Sequence, residues 1–324
     1  MKKLNKLSII IPSYNRKKYL KKQIKYWANT SYNIFILDGG SENFTNQEIL
    51  KLPKNIKYII DNSDVFERIA KIKKNISSKY ILLLFDDEFY IKTTLEKIIN
   101  YLDFNKGYLS SSSLPLGFTV INSDLIYEKI YPEIKKGIQF MENQEANKRL
   151  NSYLKFQYNI YMNSVIRKSI FFECVKLVNK CKFDLYALQE VLFGIRLSFA
   201  SKHKILNEIG WLRNIGNPPI RYKGSFFDPS KRIGDWLRVE KQKKNRKLFF
   251  KILCKELKLN KNYIFWFEQK FFENFKINPS KNYYLSKFLR SEIIWNVIQR
   301  SKKVFLNLLF IKKLIFKKKK IYIK

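Results

Sequence analysis

Short, largely apolar runs recur along the first 90 or so residues, and each is closed by a polar cluster. Residues 7–11, Leu-Ser-Ile-Ile-Ile, predict a strand stopped by Pro12, with Ser13-Tyr14-Asn15-Arg16 as the loop and residues 17–28 as an amphipathic helix. Residues 33–37 predict a second strand that ends in Asp38-Gly39-Gly40-Ser41, and Ser41 or Asn43 is the expected cap of a short helix before Pro53. A third strand is predicted over 56–60. A helix follows over 65–77, with Phe66, Ile69, Ile72 and Ile76 on one stripe. Residues 80–85 form the fourth predicted strand, which runs straight into Asp86-Asp87-Glu88.

This alternation implies an α/β fold with a Rossmann-like, mostly parallel central sheet flanked by helices. The polar clusters at 13–16, 38–41, 61–64 and 86–88 all fall at the carboxyl ends of strands, the edge where open α/β sheets bind ligands. Neither GxGxxG nor GxxxxGK[ST] occurs, which argues against a dinucleotide or P-loop site. Beyond the acids, a helix is predicted over 93–102 and edge strands over 107–113 and 118–121 around a turn at Pro115. A polar helix over 142–157, a strand over 160–166 and a helix over 184–199 complete this part. Residues 213–234, richer in Gly and Pro, read as a loop or lid closing a catalytic domain of residues 1–230.

Charge changes the picture most in the remainder. The 324 residues carry 64 Lys and Arg against 27 Asp and Glu, a formal +37 that favours anionic partners. From residue 231 onward 27 basic residues face six acids, and the last 24 residues hold nine Lys and no acid. Aromatic side chains interleave with these cations, so residues 231–324 read as a mainly helical extension suited to an anionic membrane surface. Nucleic acid is the rival partner for such charge, but no nucleic-acid motif accompanies it. Nor does any stretch read as a signal peptide or membrane span, which gives the expectation of a cytoplasmic protein bound peripherally to the inner face of the membrane. Cys174, Cys181 and Cys254 fit buried free thiols rather than a disulfide scaffold or a metal site.

The acids 86–88 supply the candidate chemistry. Adjacent carboxylates repel, and a hard divalent ion that also holds phosphate oxygens is an economical reason to place them together. The chain also resembles the nucleotide-sugar glycosyltransferases of the GT-A fold, specifically the family-2-like bacterial group. The resemblance rests on Ile9-Ile10-Ile11-Pro12-Ser13-Tyr14-Asn15-Arg16, Asp38-Gly39-Gly40-Ser41 and Asp86-Asp87-Glu88, in that order. It implies that Pro12, Tyr14, Arg16, Asp38 and Asp86 form the nucleotide site, with Tyr14 near the base, Arg16 near phosphate and Asp38 on the nucleoside. It also implies that Asp87 orients sugar hydroxyls. Glu88 replaces the usual final Asp of a DxD element and, with Asp86, is the implied ligand of Mg²⁺ or Mn²⁺.

Inverting transfer needs one base aimed at the acceptor. Glu190, at the start of an apolar helical face, is the expected base and Asp184 the alternative. The only histidine, His203, sits in Ser-Lys-His-Lys and reads as a surface residue. The implied function is metal-dependent transfer from a UDP- or GDP-sugar to a lipid-linked or surface-glycan acceptor. An inactive sugar-nucleotide or membrane-binding module is the competing reading.

Overall fold

All four apolar runs become strands in the computed structural model, which describes residues 6–121, 124–128, 134–156, 159–181, 186–215, 243–259 and 269–270. They are β1 (Leu7–Ser13), β2 (Asn33–Asp38), β3 (Ile56–Ile60) and β4 (Tyr80–Leu83), all parallel, in the order β3-β2-β1-β4. The sheet continues through β8 (Val165–Arg167), β6 (Tyr108–Ile121), β9 (Lys202–Asn214) and β5 (Glu88–Tyr90), while β7 (Asp124–Glu128) pairs with β6. In this second half β8 is antiparallel to both β4 and β6, and β5 is antiparallel to β9. Residues facing inward on β1, β2 and β4 are almost wholly buried, as sheets covered on both faces require.

The helices are α1 (Lys17–Trp27), α2 (Asn46–Leu50), α3 (Val65–Lys71), α4 (Lys92–Phe104), α5 (Ile134–Met141), α6 (Ala146–Phe156), α7 (Lys168–Cys181), α8 (Tyr186–Ala200) and α9 (Lys243–Glu256). In α1, Leu20, Gln23 and Trp27 lie on one stripe and are its buried residues. The cap of α2 is Thr45 rather than Ser41 or Asn43. Its hydroxyl accepts from the Glu48 N–H, and its own N–H donates to Glu48 Oε2 at 2.8 Å, a reciprocal capping box.

Several predicted boundaries move. Pro12 does not stop β1, which runs to Ser13. Ile10 O accepts from Leu84 N at 2.9 Å while Ser13 O accepts from Gly39 N at 3.0 Å, on the other side of the strand. Pro12, two residues beyond Ile10, therefore faces past the end of β4, where its missing N–H leaves no ladder bond unmade. Pro115 does not make a turn either. Residues 108–121 form one strand, and register shifts at 113–115 against β9 absorb the proline as a bulge. The predicted strand over 160–166 is shorter and later, at Val165–Arg167, after a 3-10 turn at Asn159–Tyr161.

His203 is not on the surface. It is fully buried on β9, with Nδ1 2.8 Å from Ser110 Oγ and Nε2 2.9 Å from Ser112 Oγ, and its ring lies 4.7 Å from that of Tyr161. Strand alternation turns it inward between Lys202 and Lys204, and burial pulls its pKa down to about 3. The three cysteines are buried and free. Helix α9 buries Phe249 and Leu253 and packs against α7, with Lys180 paired to Glu256. The rest of the predicted basic extension, apart from residues 243–259 and 269–270, lies outside the described residues. Among the described residues no helix is long and apolar enough to cross a membrane.

Candidate active site

Two loops at the carboxyl ends of β1 and β2 are laced together. Asn15, at φ 51°, directs Oδ1 to accept from Ser41 N at 2.7 Å and Glu42 N at 3.1 Å. A Cβ on Gly40 would lie 2.2 Å from that oxygen and 2.4 Å from Asn15 N, so the close approach requires glycine there. Beneath them the buried Arg68 donates to Leu37 O at 2.6 Å and Ser13 O at 3.1 Å, tying the two strand ends together. Asp38 is fully buried. Its Oδ2 accepts from Tyr58 Oη at 2.5 Å and its Oδ1 from Gly40 N at 3.1 Å. Each oxygen keeps a further acceptor site, although the side chain is wholly buried in this structure. Tyr14, by contrast, is 40% exposed on the loop.

Asp86 and Asp87 meet on one guanidinium, while Glu88 turns away from them. Asp86 is 3% exposed, with Oδ2 accepting from Ser13 Oγ at 2.8 Å and Oδ1 paired with Arg16 Nη1 at 2.5 Å. The same guanidinium reaches Asp87 Oδ2 through Nη2 at 2.8 Å and stacks over Tyr19, 4.1 Å from its ring centre. Glu88 opens β5 and turns towards β9. There its Oε2 accepts from Trp211 Nε1 at 2.8 Å, and Arg213 Nε lies 3.4 Å from Oε1. The turn's backbone is fastened from α1: Gln23 Nε2 donates to Asp86 O at 3.0 Å and Glu88 O at 2.7 Å, while Trp27 Nε1 holds Gln23 Oε1 at 2.8 Å.

Burial pushes the Asp86 carboxyl up to about 7, against the pull of Arg16 and with the help of Asp87. Glu88 is pushed up to about 8, again chiefly by burial. Arg213 opposes the shift, and the charges of Asp87 and Glu190 add to it. Glu190, on the first turns of α8, thus lies within electrostatic reach of Glu88. It retains partial access to solvent, and the protein packed around it raises its carboxyl to about 7. The helix presses close to Tyr153, whose hydroxyl would lie 2.2 Å from a Cβ on Gly194, and the Glu190 charge also raises the tyrosine's pKa. Asp184 lies outside the described residues.

The fold therefore brings Arg16, Asp86, Asp87, Glu88 and Glu190 to one region, with Pro12, Tyr14 and Asp38 along the adjoining strand ends. The chain's sequence did not point to Gln23, Trp211 or Arg213, and it marked Ser13 only as part of the loop after β1. Gln23 occupies a buried helical position where an apolar residue is expected. Trp211 and Arg213 arrive on β9, where the adjacent pairs Ile205-Leu206, Asn207-Glu208 and Trp211-Leu212 break the period-two pattern by which a strand is recognised. Among the described residues no three His, Cys, Asp or Glu side chains converge to form a metal cluster, and the divergence of Asp86 from Glu88 explains why.

A parallel β3-β2-β1-β4 sheet with buried acids at its ligand edge and an extended mixed half defines a glycosyltransferase of the GT-A fold, one that takes sugar from a nucleotide-sugar. The chain belongs to glycosyl transferase family 2, whose family model matches residues 8–173. Among solved structures it is similar to S. aureus TarS 1-349 in complex with UDP-GlcNAc: TM-score 0.56 at 14% identity, over 86% of this chain and 75% of that one. TarS 1-349 gives 0.53 at 13% identity, covering 86% and 74% of the two chains. Its UDP complex gives 0.51 at 14% identity, covering 86% and 75%. At such identities the likeness shows a shared fold. No curated protein gives a significant match.

Proposed function

We propose that this glycosyltransferase moves a sugar from a UDP- or GDP-linked donor to a lipid-linked or surface-glycan acceptor at a membrane surface, with inversion. The observation that carries the reading is that Glu190, its carboxyl raised to about 7 by burial, lies within electrostatic reach of Glu88 at the strand-end acids. A carboxyl poised near neutral pH and open in part to solvent suits a general base. Glu190 takes the proton of the acceptor hydroxyl as that oxygen bonds to the anomeric carbon. The bond from that carbon to the diphosphate breaks at the same time, and its electron pair leaves with the diphosphate oxygen. Asp87 orients sugar hydroxyls, and Tyr14, Pro12 and Asp38 line the nucleoside end. The UDP-GlcNAc and UDP complexes of TarS make UDP-sugars the first donors to test.

The acid turn suits Mg²⁺ or Mn²⁺ by its donor chemistry. Such an ion takes one or two carboxylates and completes its shell with phosphate oxygens and water, so a cluster of three protein ligands is not required. Asp86 and Glu88 would hold it, with Glu88 turning from Trp211 and Arg213 towards Asp86, and when bound it would offset the charge developing on the leaving diphosphate. The basic segment beyond residue 231 would supply attraction to anionic lipid.

The purified chain, given labelled nucleotide sugars, Mn²⁺ and vesicles made from a bacterial lipid extract, should place label in the vesicle lipid. Excess chelator should abolish the transfer. Full activity in chelator would remove the metal from the reading, and label only in water-soluble product would remove the lipid-linked acceptor.

A further inference from the structure

We infer that Arg16 is an internal counter-ion, holding Asp86 and Asp87 together in the unliganded enzyme and handing them over when a diphosphate and its metal arrive. The inference rests on the metal-assisted reading of the acid turn. Its basis is a forked contact: one guanidinium nitrogen lies 2.5 Å from Asp86 Oδ1 and the other 2.8 Å from Asp87 Oδ2. Two adjacent carboxylates, one of them almost wholly buried, would otherwise face each other uncompensated. A planar fork satisfies both at once with separate nitrogens, and a guanidinium does not lose its charge at any working pH.

The anchor point permits the handover. Arg16 is the last residue before α1, with its backbone outside the helical region at φ −129° and ψ 38°; its carbonyl is fixed by Tyr19 N at 2.8 Å and Leu20 N at 3.2 Å, so the handover is a movement of the side chain alone. The side chain lies along the Tyr19 ring, a surface over which a long arginine can slide without losing its aromatic contact. With Arg16 in place, a divalent cation approaching Asp86 meets a positive charge as well as the carboxylates. Metal without nucleotide should therefore bind poorly. When a diphosphate arrives with the metal, the guanidinium gains phosphate oxygens in exchange for the carboxylates it gives up, so Arg16 should favour the ternary assembly while opposing the metal alone.

The two effects have opposite signs, which a merely structural role does not produce. Mn²⁺ should be titrated by electron paramagnetic resonance into the wild type, Arg16→Gln and Arg16→Lys, with and without UDP. Without nucleotide, Arg16→Gln should bind Mn²⁺ at least about tenfold more tightly than the wild type, given the strength of charge–charge interaction a few ångström apart in a protein interior. With saturating Mn²⁺, the same variant should bind UDP more weakly. Arg16→Lys, a single point charge without the fork, should fall between them in both measurements. Equal Mn²⁺ affinity of wild type and Arg16→Gln in the absence of UDP, with metal retained by both in its presence, would overturn the counter-ion and leave the metal site standing. If no protein retained Mn²⁺ under either condition, the metal reading would fall and the counter-ion with it.

Discussion

Glu190→Gln should leave donor affinity nearly unchanged while lowering the transfer rate by about 10²–10⁴-fold, the usual loss when a general base is removed. The amide has nearly the shape of the carboxyl but cannot take a proton from the acceptor hydroxyl. The pH profile gives a second readout. A base works only when ionised, so with its carboxyl raised to about 7 by burial the wild-type rate should climb as pH rises through that value. An unperturbed carboxylate would already be ionised near pH 6, giving a flat profile there. At saturating Mn²⁺, which would hold Asp86 and Glu88 ionised although burial raises them to about 7 and 8, the rising limb should disappear from the residual activity of the variant. A wild-type rate in a folded Glu190→Gln protein would reject the role and bring Asp184 forward. Loss of donor binding together with the fold would make Glu190 structural.

Glu88→Ala should be nearly as severe, but on binding. Replacing residues that merely support a metal ligand costs about 10–100-fold in affinity, so removing a ligand should weaken UDP binding in Mn²⁺ by about 100-fold or more. Alanine also strips Trp211 Nε1 of its 2.8 Å acceptor and leaves Arg213 beside an uncharged gap, so the fold itself is at risk. Glu88→Gln separates the two effects. Its amide oxygen still accepts from Trp211 and keeps the turn in place, but it is a far poorer ligand for a hard cation. Calorimetric titration of UDP into the folded glutamine variant should show the large loss. Unchanged affinity would take Glu88 out of the metal site and leave it as the residue that pins β5 to β9.

The part of the fold legible in the sequence is the part where each strand is apolar on both faces. Residues 7–11, 33–37 and 80–85 announce themselves because burial between two helical layers demands it, residues 56–60 form a partly exposed edge strand with Lys57 and Ile60 outward, and the ligand edge follows from what terminates them. The second half was less legible because its strands are polar. Ser110 to Ser113 and His203 are buried, yet nothing in four serines or in Ser-Lys-His-Lys marks an interior. Their burial depends on the pairing of β6 with β9, a contact between residues about 90 apart in the chain. A three-residue strand such as β5 is likewise invisible until β9 supplies its partner.

The candidate site divides in the same way. Its acids could be found one by one from strand ends and from the helical face of α8, but their partners could not. The sequence places Arg16 near phosphate and gives no sign that it bridges Asp86 and Asp87 in this structure. The sequence places Asp38 at the nucleoside end and gives no sign of Tyr58, which donates to one of its oxygens. Hydrogen-bond partners brought from distant segments decide both cases, and local pattern carries no information about them.

The central claim is that the acceptor attacks the sugar directly, with a single carboxylate, Glu190, as base and the diphosphate leaving from the opposite face. The most direct test is the anomeric configuration of the product, read by NMR from the coupling of its anomeric proton after transfer from a donor of known configuration. A single displacement predicts inversion, with an α-linked donor yielding a β-linked product. Retained configuration would contradict the account, because it requires either a covalent intermediate on a second nucleophile or attack from the same face as the leaving group.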